Sequence, residues 1–173
     1  MKRFLLLVSQ FGIFFMSLFG GFLRRIAPPE EEQFWTGLAT VIAGSVFLLV
    51  KVKSQTLDAP QRERRFYRLS LLVLPLSIVL FASYQWLIET RTASYAGGRK
   101  VIGGELTERG RSAKQLGNSN LDLLENNGGN PQGIWSERSI TRSRMLLGSA
   151  YASAIGLFSL GLIAGCQALK ESP

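Results

Sequence analysis

The chain has 173 residues and a formal net charge of +8, with 20 Lys plus Arg, 12 Asp plus Glu, one Cys and no His. A single Cys excludes an intrachain disulfide, and the lack of His removes the commonest metal ligand and the commonest general base. We therefore expect a protein that is not an enzyme, with no catalytic residues, no metal and no cofactor. We expect no nucleic-acid partner either, because basic residues beside membrane spans have a topological explanation.

All the charges lie outside four apolar runs. These charge-free runs are residues 4–23, 33–50, 69–88 and 145–169. About 20 residues at a rise of about 1.5 Å cover the hydrocarbon thickness of a bilayer, about 30 Å. In lipid each segment must satisfy its own backbone hydrogen bonds, so each run is predicted to be a helix. The sequence thus predicts an all-α membrane protein with four transmembrane helices, and the alternative is a soluble helical bundle with very apolar helices.

The first three predicted spans lie within residues 4–88. Arg24 and Arg25 close span 1 where a signal peptide would have a cleavage site, so we expect a retained span. We expect span 2 to begin close to Pro29, because Pro is tolerated in a first helical turn and the acids that follow it favour a helix N-terminus. Span 3 contains Pro75, which is predicted to kink the helix.

The linker between spans 2 and 3, residues 51–68, is strongly basic. Its candidates for contact with anionic lipid headgroups are Arg62, Arg64, Arg65 and Arg68; the same residues would also serve as a topology signal alone. Basic residues in short loops favour the cytoplasm, so we expect a multi-pass cell-membrane protein with both termini cytoplasmic. The basic residues of the polar segment between spans 3 and 4 favour the opposite orientation.

The polar segment, residues 89–138, separates spans 3 and 4. Around Ala96-Gly97-Gly98 it is predicted to form a small hairpin of residues 91–95 and 99–102. Thr107 is predicted to cap a short helix that ends near Gln115, and residues 120–124 are expected to add a further helical turn. Ser136 is a candidate N-cap for the last helix.

Span 4, within residues 139–169, has small residues at helical spacing. They are Gly148, Ala152 and Gly156, followed by Gly161 and Gly165. This spacing lets another helix approach closely. The helix could belong to a second copy, which would make the protein a homo-oligomer, or to the same chain. None of the four charge-free runs contains a Lys, Arg, Asp, Glu or His, which argues against an ion-coupled transporter. A channel lined by hydroxyls, amides or backbone groups is still compatible with the sequence.

Two segments, Val101-Ile102-Gly103-Gly104-Glu105-Leu106-Thr107 and Ile134-Trp135-Ser136-Glu137-Arg138-Ser139-Ile140, carry a family resemblance. With them the chain resembles small four-span bacterial membrane proteins of unassigned role that are linked to the gene neighbourhoods of defence or conflict systems. The resemblance implies a membrane-acting effector and assigns no residue a role.

Two functions follow as hypotheses. The first is a non-enzymatic membrane protein that self-associates in the lipid bilayer as a membrane-perturbing or pore-forming effector. The second is a membrane scaffold or accessory subunit that docks a partner protein through residues 89–144.

Overall fold

The computed structural model describes residues 27–30 and 32–168. In chain order its elements are α1 (Glu32–Gln55), α2 (Ala59–Arg91), β1 (Thr92–Tyr95), β2 (Gly98–Val101), α3 (Glu108–Gln115), α4 (Asn120–Glu125), a 3-10 turn (Pro131–Gly133) and α5 (Glu137–Ala168). Within this part of the chain, α1, α2 and α5 are long and apolar enough to cross a membrane. They correspond to predicted spans 2, 3 and 4, and predicted span 1, residues 4–23, lies outside the described residues.

The long helices extend beyond the apolar runs that predicted them. Helix α2 begins at Ala59, so most of the predicted 51–68 linker is helical, and the Arg62 amide donates a hydrogen bond of 2.8 Å to the Asp58 carbonyl. Charges end an apolar run but leave backbone hydrogen bonding intact, which explains the longer helix. Helix α1 begins at Glu32, three residues after Pro29, because Glu30 has a φ of +69°, outside the helical region.

Helix α2 is continuous through Pro75. Proline has no amide hydrogen, so one backbone bond of the helix is missing there. Two residues later the Ser77 hydroxyl donates a hydrogen bond of 2.7 Å to the Leu74 carbonyl. The predicted kink stays a prediction.

The chain forms two compact units. The first, called the helical unit, comprises residues 33–82 and 151–168 together with Ala27. It buries an apolar cluster of Val50, Phe66, Ile163, Ala164 and Ala168. Its α2 surface also carries large apolar side chains that are exposed: Leu71, Leu72, Leu76, Ile78 and Val79. An apolar surface of this extent is expected of a helix that meets lipid.

The second unit, called the polar module, comprises residues 28–30, 32 and 83–150. Strands β1 and β2 pair antiparallel, with Thr92 opposite Val101 and Tyr95 opposite Gly98. Both residues between them, Ala96 and Gly97, have positive φ angles of 47° and 78°. Two positive angles in a two-residue loop define a type I′ turn, which matches the twist of a hairpin. The predicted hairpin is confirmed.

The predicted helix caps of the polar module are confirmed as well. The Thr107 hydroxyl accepts a hydrogen bond of 3.2 Å from the Gly110 amide at the start of α3. The Ser136 hydroxyl accepts one of 3.3 Å from the Ser139 amide at the start of α5. Each cap satisfies an amide that has no partner inside its helix.

A hydrophobic core holds the polar module together. Its buried members are Ala93, Ile102, Leu123, Leu124, Ile134, Trp135 and Ile140. Leu106 and Trp135 form an isolated β-bridge, flanked by hydrogen bonds of 2.9 Å from the Thr107 amide to the Ile134 carbonyl and from the Ser136 amide to the Glu105 carbonyl. The two segments that carry the family resemblance are therefore paired with each other in space.

Candidate functional site: a basic pocket in the polar module

The polar module contains a pocket of about 240 Å³. Its lining residues are Arg91, Gly104, Glu105, Ser139, Arg142, Ser143 and Leu146. They come from three places in the module: the end of α2, the segment after the hairpin, and the first turns of α5. We call this site the Arg91–Arg142 pocket.

Arg91 lines the pocket beside the backbone of Gly104. It is the last residue of α2, and its carbonyl accepts a hydrogen bond of 2.9 Å from the Ile102 amide. A β-carbon added to Gly104 would overlap Nη1 of the Arg91 guanidinium. The guanidinium thus lies directly against the backbone of Gly104, where a larger residue would displace it.

Arg142 is the second cation of the pocket. It lies one turn into α5, between Ser139 and Leu146 on the same helix face, and its side chain is exposed. Within the described residues neither Arg91 nor Arg142 forms an ion pair. Arg144 differs, since its Nη2 lies 2.8 Å and its Nε 3.1 Å from the Glu30 carboxylate.

Two serines complete the lining of the pocket. The Ser139 hydroxyl donates to the Ser136 carbonyl at 2.9 Å and lies 3.3 Å from the Glu105 carbonyl. Ser143 is 1 % exposed, and its Oγ has no hydrogen-bond partner among the described residues. A buried hydroxyl without a partner is costly and requires an explanation.

The charges of the lining residues do not balance. The lining residues include two arginines and one acidic residue, Glu105, which is exposed to solvent. A concave site with an excess of positive charge attracts anions. The arrangement can bind an anion through guanidinium and hydroxyl donors.

The small residues of predicted span 4 lie partly against helices of the same chain. A β-carbon on Gly161 would lie 2.7 Å from Leu74 Cδ2, and one on Gly165 would lie 3.0 Å from the Ser70 hydroxyl, both on α2. A β-carbon on Gly156 would lie 3.5 Å from Ile42 of α1. Gly148 is buried and Ala152 is half-buried. Packing within one chain therefore accounts for Gly161 and Gly165, whereas a β-carbon at Gly156 would make only an ordinary van der Waals contact.

The four basic-linker arginines lie on the first turns of α2, in the helical unit. Arg64, Arg65 and Arg68 are exposed, and Arg62 is half-buried. Their contact with lipid headgroups stays a prediction.

Sequence reasoning missed the Arg91–Arg142 pocket. Its two arginines are far apart in the sequence, and each one alone resembles an ordinary charge at the end of a membrane span. The pair Gly103-Gly104 is the signal that could have indicated it. A β-carbon on Gly103 would overlap the Ser139 side chain and lie 2.8 Å from Trp135 Cβ, so at both glycines a neighbouring side chain lies close against the backbone.

Within residues 27–30 and 32–168, no cluster of three or more His, Cys, Asp or Glu side chains could hold a metal ion.

In comparisons with known proteins, no family model, no curated protein and no solved structure matches the chain. The resemblance to defence-linked membrane proteins therefore stays a prediction.

Proposed function

We propose that the chain is an integral membrane protein that displays the polar module at the membrane surface, where the module docks a partner protein. In this account α1, α2 and α5 cross the bilayer together with residues 4–23, which gives four spans with both termini in the cytoplasm. The protein is then a scaffold or accessory subunit, not an enzyme.

The observation that carries the proposal is the core of the polar module. Connections between packed helices usually need about 2–8 residues, whereas the segment between α2 and α5 folds around buried side chains such as Leu124 and Trp135, which are 0 % and 2 % exposed. A segment that only joined two spans would need no such core. A folded module between two membrane helices is what a docking function requires.

An exposed apolar pair on the module is the candidate contact surface. Leu116, at the C-terminus of α3, is 83 % exposed, and Leu121, in the first turn of α4, is 40 % exposed. Apolar side chains of this size at a module surface favour contact with another protein. A short loop separates the two residues, and we call the two side chains together the Leu116 surface.

Site-specific photocrosslinking in cells tests the docking function. A photoreactive residue replaces Leu116 in one variant and Arg99, exposed at the hairpin, in a matched control. We expect a discrete crosslinked product from position 116 only, and we expect Leu116→Asp to remove the partner from the purified membrane complex. A product made only of two copies of this chain would favour the self-associating effector instead. No product at position 116, or the same products at both positions, would contradict docking through this surface.

A further inference from the structure

We propose that the Arg91–Arg142 pocket binds a phosphate group, carried by a phospholipid headgroup or by a soluble phosphate ester. Arg91 and Arg142 supply the charge, and Ser143 supplies a hydroxyl donor. The pocket shares no residue with the Leu116 surface. The pocket is proposed to bind a small ligand, and the Leu116 surface is proposed to bind a partner protein.

The first argument for a phosphate ligand comes from the two guanidiniums. Arg91 is half-buried, and neither it nor Arg142 pairs with a carboxylate within the described residues. A partly buried charge is costly unless it is paired. Guanidinium forks match the geometry of phosphate oxygens, which they bind through charge-assisted hydrogen bonds. A phosphate would supply the counter-charge that the half-buried Arg91 lacks, with the exposed Arg142 as a second cationic donor.

The Ser143 hydroxyl gives a second, independent argument for a phosphate ligand. Ser143 is among the residues that line the same pocket. Its Oγ is one of the few buried side-chain oxygens without a partner among the described residues. A hydroxyl can donate to an anionic oxygen, and hydrogen bonds to charged acceptors are stronger than those to neutral ones. A bound phosphate would satisfy it.

Size and charge narrow the ligand class. A pocket of about 240 Å³ lies below the range of about 300–1,000 Å³ typical for drug-sized ligands. It accommodates a phosphate with its ester carbons and is too small to enclose a whole nucleotide. The Glu105 carboxylate leaves one net positive charge among the lining residues, which matches a singly charged phosphodiester better than a doubly charged monoester.

The flanking residues favour a phospholipid as the source. Arg91 follows the apolar run that ends at Ile88, and Leu146 belongs to the apolar run of α5. Trp86, one turn before Arg91 on α2, is 63 % exposed. Tryptophan and basic residues are typical of the membrane interface, where phospholipid phosphates lie. A phospholipid can be the ligand only if the protein is inserted in a membrane, so this part of the proposal rests on the proposed function. Alkaline extraction of membranes tests the insertion separately.

Ligand titration of the full-length protein in detergent micelles tests the site. The probes are phosphatidylglycerol, glycerol phosphate and inorganic phosphate, and binding is followed by native mass spectrometry. Arg142→Gln and Ser143→Ala change the pocket. Arg138→Gln is the matched control, because Arg138 is also exposed on the first turns of α5 but does not line the pocket.

We expect phosphatidylglycerol to bind the wild type, and we expect its affinity to fall about tenfold in Arg142→Gln and in Ser143→Ala but not in Arg138→Gln. Ser143→Ala removes an unpaired buried hydroxyl, so its unliganded form should be as stable as the wild type or more stable. If Ser143 had a structural role instead, unliganded Ser143→Ala would be less stable than the wild type.

Each of the other possible outcomes either supports the phosphate site or overturns it. Glycerol phosphate or inorganic phosphate that binds with the same variant pattern, while the lipid does not, would support the site and assign a soluble ligand. An equal loss in all three arginine and serine variants would indicate diffuse surface attraction and overturn the proposal. So would affinities that no variant changes, or no binding of any probe.

Discussion

The buried Ser70 hydroxyl donates a hydrogen bond of 2.9 Å to the Gly161 carbonyl, and so joins α2 to α5 within the helical unit. The two residues are 91 positions apart in the chain. Such a bond between helices requires close backbone approach, which the absence of a side chain at Gly161 allows. The hydrogen bond stabilises a single chain. It lies on the small-residue face of span 4, which on sequence grounds could equally have contacted a second copy.

Gly161→Ala should destabilise the helical unit. The new β-carbon would lie 2.7 Å from Leu74 Cδ2 and 3.3 Å from the Leu74 backbone nitrogen, so the two helices must move apart. Overpacking of this kind costs about 1–3 kcal/mol. Thermal stability in detergent, followed by fluorescence-detected size exclusion, measures the loss.

The matched control for Gly161 is Gly44→Ala in α1. A β-carbon at Gly44 meets no atom within 4 Å, and Ala is favoured over Gly inside a helix by about 0.5–1 kcal/mol. This variant should match or exceed the wild-type stability. A Gly161→Ala protein that keeps full monomer stability but loses an oligomer would show that this face contacts a second copy.

Ala96→Asn should stabilise the hairpin of the polar module. Ala96 has a φ of +47° at the first central position of a type I′ turn, where a side-chain β-carbon is strained and Asn-Gly is the preferred pair. We expect a gain of about 0.5–1 kcal/mol, measured as slower amide hydrogen exchange in β1 and β2. Ala96→Val, which cannot relieve the strain, should speed the exchange, and equal exchange in the two variants would argue against the turn type.

The part of the fold that sequence reasoning predicted depends on local signals. The absence of charge from 33–50, 69–88 and 145–169 indicated the three long helices, and the chemistry of Ala96-Gly97-Gly98 indicated the hairpin. Thr107 and Ser136 were identified as caps because their hydrogen bonds reach only three residues along the chain. Each of these signals lies within a few residues of the structure that it predicts.

The rest depends on contacts between distant residues. No local pattern indicates that Gly161 packs on Leu74, that Leu106 pairs with Trp135, or that Arg91 and Arg142 share a pocket. The early start of α2 at Ala59 was missed for a different reason. A hydrophobicity pattern reports where a helix is apolar, and it is silent on how far the helix continues into polar sequence.

The stability of α4 should fall in acid because of one carboxylate. Hydrogen bonds from the Ser119 hydroxyl and then from the Ser119 amide, the latter of 2.7 Å, hold the pKa of Asp122 below its ordinary value of 3.8. A carboxylate with a lowered folded-state pKa contributes stability that is complete above its unfolded pKa and is lost as pH falls through the folded value. The loss is therefore expected below about pH 4.

Asp122→Asn isolates this contribution, because it removes the titrating group and keeps the size of the side chain. Amide exchange across α4, corrected for the intrinsic pH dependence, should be faster than wild type at pH 6 and should approach it at pH 3. The same difference between the two proteins at both pH values would show that the carboxylate charge is not the cause.

Single-cysteine labelling tests the central claim of membrane insertion most directly. In a chain with Cys166→Ala, the exposed residues Gln55, at the end of α1, and Gln115, at the end of α3, are replaced by Cys one at a time. Only α2 lies between these two positions as a candidate span, so they must be on opposite sides of the membrane if α2 crosses it. On intact spheroplasts a membrane-impermeant maleimide should label Gln115→Cys, and it should label Gln55→Cys only after lysis. The reverse pattern would invert the proposed orientation, and equal labelling of both positions before lysis would contradict the account of α2 as a membrane span.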